Sequence, residues 1–167
     1  MNKRRLVVLI IGSIICVIGL SIAILDFIYS NSLKRITNNI EISPSSCRLE
    51  EEVDTHGGFL GDGDYFAKLS CSKLDNKPSK HWKELPLSEY LDKATKTLQC
   101  MGDGCKDIYE RFNIPNVVNG YYYFLDRHSE SDNKYDDTNL NNRTSWNYTV
   151  AIFDKDTNII YYYELDT

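Results

Sequence analysis

Polarity divides the chain sharply near its start. Lys3, Arg4 and Arg5 are followed by twenty residues, Leu6 to Leu25, that carry no charge. At about 1.5 Å of rise per helical residue, such a run crosses roughly the 30 Å hydrocarbon core of a bilayer. The pattern predicts a cytoplasmic tail over 1–5 and a transmembrane helix over 6–28. A cleaved signal peptide is the competing reading, because Ser21, Ile22 and Ala23 form a small-x-small site. The apolar run is longer than a signal core, however, and Leu25, Phe27 and Ile28 continue it past that site. Cys16 is a poor lipid-attachment residue because bulky Ile15 precedes it. Asp26 lies at the far boundary, where a carboxylate reaches interfacial water.

The next stretch, 29–46, is polar and rich in Asn and Ser, and reads as a juxtamembrane linker. From Cys47 the pattern becomes strand-like. Residues 47–54 and 64–71 predict an antiparallel hairpin whose tip is the glycine-rich His56–Gly63 segment. In the register that sets Cys47 opposite Cys71, Leu49 meets Leu69, Val53 meets Tyr65 and Glu50 meets Lys68. Glu51 with Ala67 and Asp54 with Asp64 are its weak points. Residues 73–81 read as a polar loop.

After Pro86 the period lengthens. Leu87, Tyr90, Leu91, Ala94 and Leu98 share one helical face, which predicts a helix of about a dozen residues with Pro86 in its first turn. Ile108, Tyr109 and Phe112 predict a shorter helix that Pro115 ends. Three aromatic and β-branched strands follow, Tyr121–Leu125, Ser145–Phe153 and Asn158–Leu165, the last two joined by the polar turn 154–157. The expected architecture is α+β: an N-terminal transmembrane helix, then one domain over 47–167 with an antiparallel sheet of about five strands, one longer and one short helix packed on one face.

Charge narrows the partners. Subtracting Lys3, Arg4, Arg5 and Asp26 from the 19 basic and 24 acidic residues leaves 16 and 23, a net charge of about −7 outside the anchor. Such an acidic surface argues against nucleic acid. The basic tail places the N-terminus in the cytoplasm and the domain outside the cell membrane. Four of the five cysteines then lie in an oxidising compartment, which predicts disulfides Cys47–Cys71 and Cys100–Cys105, the second closing a loop with two glycines. A four-thiolate zinc site is disfavoured because the chain has no C-x-x-C pair.

Candidate chemistry is sparse. His56 and Asp62, among the glycines of the hairpin tip, have the residue types of an acid/base pair or metal ligands. Asp126 and His128 open a second polar segment, in which Asp132, Asp136 and Asp137 are weak calcium candidates without the glycine and terminal glutamate of an EF-hand. Catalysis requires the two segments to meet, and no nucleophile elbow or zinc-binding H-E-x-x-H supports it. No other cofactor is expected. The tyrosine runs 121–123 and 161–163 are either buried by covering elements or exposed as a partner surface. Asn142 and Asn147 begin glycosylation sequons, which matter only in a eukaryotic secretory route.

The stretch Asp54-Thr-His-Gly-Gly-Phe-Leu-Gly-Asp-Gly-Asp, the Leu85-Pro-Leu helix start, Asp126-Arg-His-Ser-Glu and the ending from Asn147 to Thr167 resemble an uncharacterised family of small membrane-anchored or secreted proteins of Gram-positive bacteria. The resemblance covers most of the outer domain. It implies a host class and a location, and carries over no catalytic residue. The expected function is a membrane-anchored, non-enzymatic interaction or envelope-associated module with a protein or envelope partner. The alternative is a metal-dependent or hydrolytic enzyme that joins the His56–Gly63 loop to Asp126 and His128.

Overall fold

In the computed structural model, residues 3–57, 61–72, 74, 77–97, 99–101, 104–128, 131–138, 140 and 145–167 are described, with side chains from residue 10 onward except those of 99–101 and 104. The first helix, α1, runs unbroken from Lys3 to Asn39. It is long and apolar enough to cross a membrane, and its large hydrophobic side chains from Ile10 to Ile28 are exposed to the surroundings.

Residues 29–39, expected as part of a polar juxtamembrane linker, are the last three turns of the same helix. Their polarity is one-sided, as an amphipathic helix requires. Ile36, Thr37 and Ile40 are fully buried, while Lys34 and Asn38 face out. Glu41 stops the helix in the left-handed conformation at φ 60°. A non-glycine residue seldom adopts it. Here the Glu41 carboxylate is tied by Ser79 Oγ (2.7 Å), His81 Nδ1 (2.7 Å) and the Tyr135 hydroxyl (3.0 Å). Burial would raise its pKa, but these three hydrogen bonds outweigh burial and lower it. Trp82, fully buried, donates its indole N–H to Ile40 O at 2.8 Å.

A 3₁₀ turn at Pro44–Ser46 leads into the domain's strands: β1 (Cys47–Asp54), β2 (Gly63–Cys71), β3 (Lys83–Glu84), β4 (Gln99–Met101), β5 (Gly104–Lys106), β6 (Gly120–Asp126), β7 (Asn147–Asp154) and β8 (Ile159–Asp166). Six of them form one antiparallel sheet in the order β1-β2-β8-β7-β6-β3, and β4 with β5 forms a separate ladder. The two-residue edge strand β3 is the addition to the five expected. Helix α2 (Glu89–Thr95) is shorter than its periodicity suggests; Ser88 caps it by accepting from Leu91 N, and Pro86 lies ahead of it after a cis peptide. Leu98 lies outside the described residues. Helix α3 spans Ile108–Phe112 and starts at Asp107, which accepts from Glu110 N.

The helices divide between the two faces of the sheet instead of sharing one. The end of α1 covers one face, packing Ile36 and Ile40 with Leu49, Ala67, Tyr123, Tyr162 and Trp82. Helices α2 and α3 cover the other, with Leu91, Ala94 and Ile108 against Phe66, Phe124, Val150 and Tyr163. Because both faces are covered, consecutive tyrosines are buried on alternate sides. Tyr161, Tyr162 and Tyr163 are 8%, 0% and 1% exposed, so this run builds cores and offers no platform.

Cys47 and Cys71 are disulfide-bonded, which fits an oxidising extracytoplasmic setting. Cys105 is also disulfide-bonded and stands opposite Cys100 in the β4–β5 ladder; the Cys100 side chain lies outside the described residues. The β1–β2 register follows expectation at Cys47–Cys71 and Leu49–Leu69, then slips by one: Glu51 faces Lys68, Glu52 faces Ala67, Val53 faces Phe66 and Asp54 faces Tyr65. Glu50 is the bulged residue, although its carboxylate still reaches Lys68 Nζ at 3.6 Å. The slip separates Asp54 from Asp64 and removes the like-charge pair.

Candidate functional site

The bulge also helps to build a polar cleft. Opposed residues on antiparallel strands share a face, so Glu52 and Asp54 join Tyr65 and Ala67 on the side covered by α1. Without the slip, Glu51 and Val53 would stand there. The result is a cleft of about 610 Å³ between the emerging helix and the end of the sheet. Helix α1 contributes Ser32 and Arg35, β1 contributes Glu52 and Asp54, and β8 contributes Glu164 and Asp166. His56, Tyr65 and Arg127 complete the lining.

Each charge is held by a defined partner. Arg35 Nη1 donates to Glu164 Oε2 at 2.6 Å, and its guanidinium lies over the Tyr65 ring at 4.3 Å. Tyr162 OH also donates to Glu164, while Asn39 Nδ2 donates to its Oε1 at 3.1 Å. Arg127 is spread over four acceptors: Thr149 Oγ1, Tyr148 O, Leu165 O and Asp166. The Tyr65 hydroxyl donates to Glu52 Oε2 at 2.7 Å, and burial followed by this bond to a carboxylate raises the tyrosine's pKa.

His56 bridges two carboxylates, with Nδ1 2.7 Å from Asp54 Oδ1 and Nε2 3.1 Å from Asp166 Oδ2. Only the imidazolium can donate from both nitrogens. Burial would lower its pKa, yet the hydrogen bonds to Asp54 and Asp166 outweigh burial and raise it. Asp54 shows the converse balance: burial would raise its pKa, but the contacts with His56 outweigh burial and lower it. Gly63 makes this placement achievable, because a Cβ there would lie 2.6 Å from the Cα of His56.

Of the four catalytic candidates named from the sequence, His56, Asp62, Asp126 and His128, only His56 lines this cleft. Asp62 is exposed at the hairpin tip, and Phe59 lies outside the described residues. Asp126 is fully buried; its Oδ1 accepts from His128 N at 3.0 Å, and the His128 ring meets Ser145 Oγ at 3.2 Å. The two polar segments are nevertheless linked, since His56 and Arg127 share Asp166. Arg127, between Asp126 and His128, is thus the residue through which they touch.

The calcium candidates do not converge. Asp137 is buried and accepts from Ser88 Oγ, Asp136 accepts from Thr138 N in its own turn, and Asp132 is exposed. Among the described residues, no group of three or more His, Cys, Asp or Glu side chains is placed to hold a metal.

Sequence reasoning missed Arg35, Glu52, Glu164 and Asp166, all at the cleft. Arg35 was hidden in a segment read as linker. Glu52 needed the bulge, and a one-residue slip reverses every side chain. One readable signal existed: Glu164 is an acidic position inside an otherwise apolar strand, and a buried carboxylate demands a cation.

A second, less polar hollow of about 340 Å³ lies on the opposite side, lined by Leu85, Leu87, Tyr109, Ile114 and Val117 with Asp92, Lys96 and Asp107 at its rim. No protein-family model, curated protein or solved structure matches the chain.

Proposed function

We propose that this chain is a single-pass membrane protein with residues 1–5 in the cytoplasm and its α+β domain on the outer face of a cell membrane. There it acts as a non-enzymatic interaction module of the envelope. The resemblance noted above implies a Gram-positive host. The observation that supports this reading best is the continuity of α1, whose exposed apolar length passes without a break into a buried end. A stiff support of this kind holds the domain's surface at a fixed height and orientation, which suits an interaction module.

Orientation is tested in intact cells with one cysteine added to a Cys16→Ser background in which the disulfide cysteines are kept. Val118→Cys, at a position 79% exposed in the outer domain, is expected to react with a membrane-impermeant maleimide, and Lys3→Cys to stay protected. The reverse pattern overturns the topology. Function class is tested by melting the protein with calcium, zinc and a chelator. A metal held only by the folded state at a hundred times its Kd adds about 2.7 kcal/mol of stability. A constant melting temperature is expected, and a rise with either metal favours the metal-dependent reading.

A further inference from the structure

The cleft is not randomly placed along α1. The Tyr29 hydroxyl, at the end of the apolar stretch, donates to Leu49 O of β1 at 2.8 Å. Further along, Arg35 meets Tyr65 of β2 and Glu164 of β8, and Ile40 meets Trp82 just before β3. The helix therefore crosses the sheet from its β1 edge to its β3 edge, and β1 is the strand nearest the membrane.

Taking Ile28 as the last residue in hydrocarbon, Ser32 stands about 6 Å and Arg35 about 10 Å beyond it along the axis. The headgroup layer of a bilayer is roughly 5–8 Å thick on each side. The helix side of the cleft thus begins within the headgroup layer at Ser32 and ends at Arg35 just beyond it, close enough for the head groups of lipids to reach both.

Its charges are also sorted. On the helix side are the Ser32 hydroxyl and the Arg35 guanidinium, 45% exposed despite its bond to Glu164. A half-exposed guanidinium retains donors that suit a phosphate. On the β1 side are Glu52, which accepts from the neutral Tyr65 hydroxyl, and Asp54, 61% exposed. They stand two residues apart on one face, about 6.8 Å along the strand. Over the whole cleft, four carboxylates against two arginines leave a surplus of negative charge even when His56 is protonated, and Glu52 and Asp54 place part of it on the β1 side.

We infer that the cleft receives the head group of a membrane lipid bearing both a phosphate and a primary ammonium, the phosphate at Ser32 and Arg35 and the ammonium at Glu52 and Asp54. The inference rests on the membrane-anchored reading above. A purely anionic lipid satisfies the arginine but faces the carboxylates without compensation. A choline head has the charge but no N–H to donate to Glu52 and Asp54.

The test uses the full chain reconstituted into vesicles of phosphatidylglycerol with equal parts phosphatidylethanolamine and phosphatidylcholine, followed by native mass spectrometry of retained lipid. Phosphatidylethanolamine is expected to be enriched at least fivefold over phosphatidylcholine, and Glu52→Gln with Asp54→Asn to bring the ratio to parity. Both positions are solvent-facing on an edge strand, and an intact Cys47–Cys71 disulfide with unchanged circular dichroism confirms folding of the variant.

Equal retention of the two lipids by the wild-type chain overturns the inference, as does undiminished enrichment in the variant. Displacement of the lipid by equimolar soluble phosphoethanolamine overturns the lipid as the source. Alkaline extraction separates this from the anchor reading. A chain released from the vesicles overturns both, whereas an integral chain without lipid preference overturns this inference alone.

Discussion

Ile36 is the residue at which the anchor becomes part of the domain, and Ile36→Ala measures what that junction contributes. Its side chain is 0% exposed and sits in the cluster formed with Leu49, Tyr65, Tyr162 and Trp82. Removing three carbons forfeits about 2.4 kcal/mol of transfer free energy at about 0.8 kcal/mol per methylene. The cavity left behind adds to this, because packing between a helix and a sheet relaxes only in part. Alanine is the better helix former by about 0.4 kcal/mol, a small offset. The net expectation is a loss of about 3 kcal/mol.

Urea denaturation of the full chain in detergent micelles, followed by tryptophan fluorescence, reads it directly, since buried Trp82 bonds the same helix at Ile40. Asn38→Ala, on the exposed side of the same turn, is the control and is expected to change stability by less than about 0.5 kcal/mol. If Ile36→Ala matches Asn38→Ala, the helix end is not part of the core and the reasoning fails.

Other consequences are independent of that junction. Replacing Cys47 and Cys71 with serine frees a loop of sequence separation 24, and chain entropy sets the loss at about 3.4 kcal/mol in chemical denaturation; a loss under about 1 kcal/mol contradicts it. Arg111→Ala strips the buried Asp64 carboxylate of its 2.6 Å partner, and the expected cost is about 3 kcal/mol because an unpaired charge is left inside, so a Tm within a degree of wild type counts against the pair. His56 gives a signed pH dependence. Its folded pKa is raised, so its stabilisation is full below about 6.5 and fades as pH rises through the folded value. His56→Ala should therefore be most destabilising at pH 5.5–6 and least at pH 9, and a penalty that grows with pH refutes the assignment.

What the sequence disclosed follows the length scale of each signal. The apolar run, the strand triplet and the Cys47–Cys71 pairing depend on patterns within a few residues or on simple opposition, and all are present. The fate of 29–46 was harder to read because Ile36 and Ile40 are two apolar positions in a polar stretch. Burying them depends on Tyr162 and Trp82, more than forty residues away in the chain. The cleft was least legible. Its charges come from three distant elements and from a bulge at Glu50, where nothing local shows that the ladder slips. His56 was visible because glycines surround it, whereas its partner Asp166 lies at the opposite end of the domain.

Amide hydrogen exchange on the full chain in micelles tests most directly whether one helix serves as both anchor and core. The account predicts that residues 33–40 exchange as slowly as the central strands β2 and β8, with an opening free energy close to that of global unfolding. Exchange of 33–40 at rates typical of a solvated linker, while β2 and β8 remain protected, would contradict it.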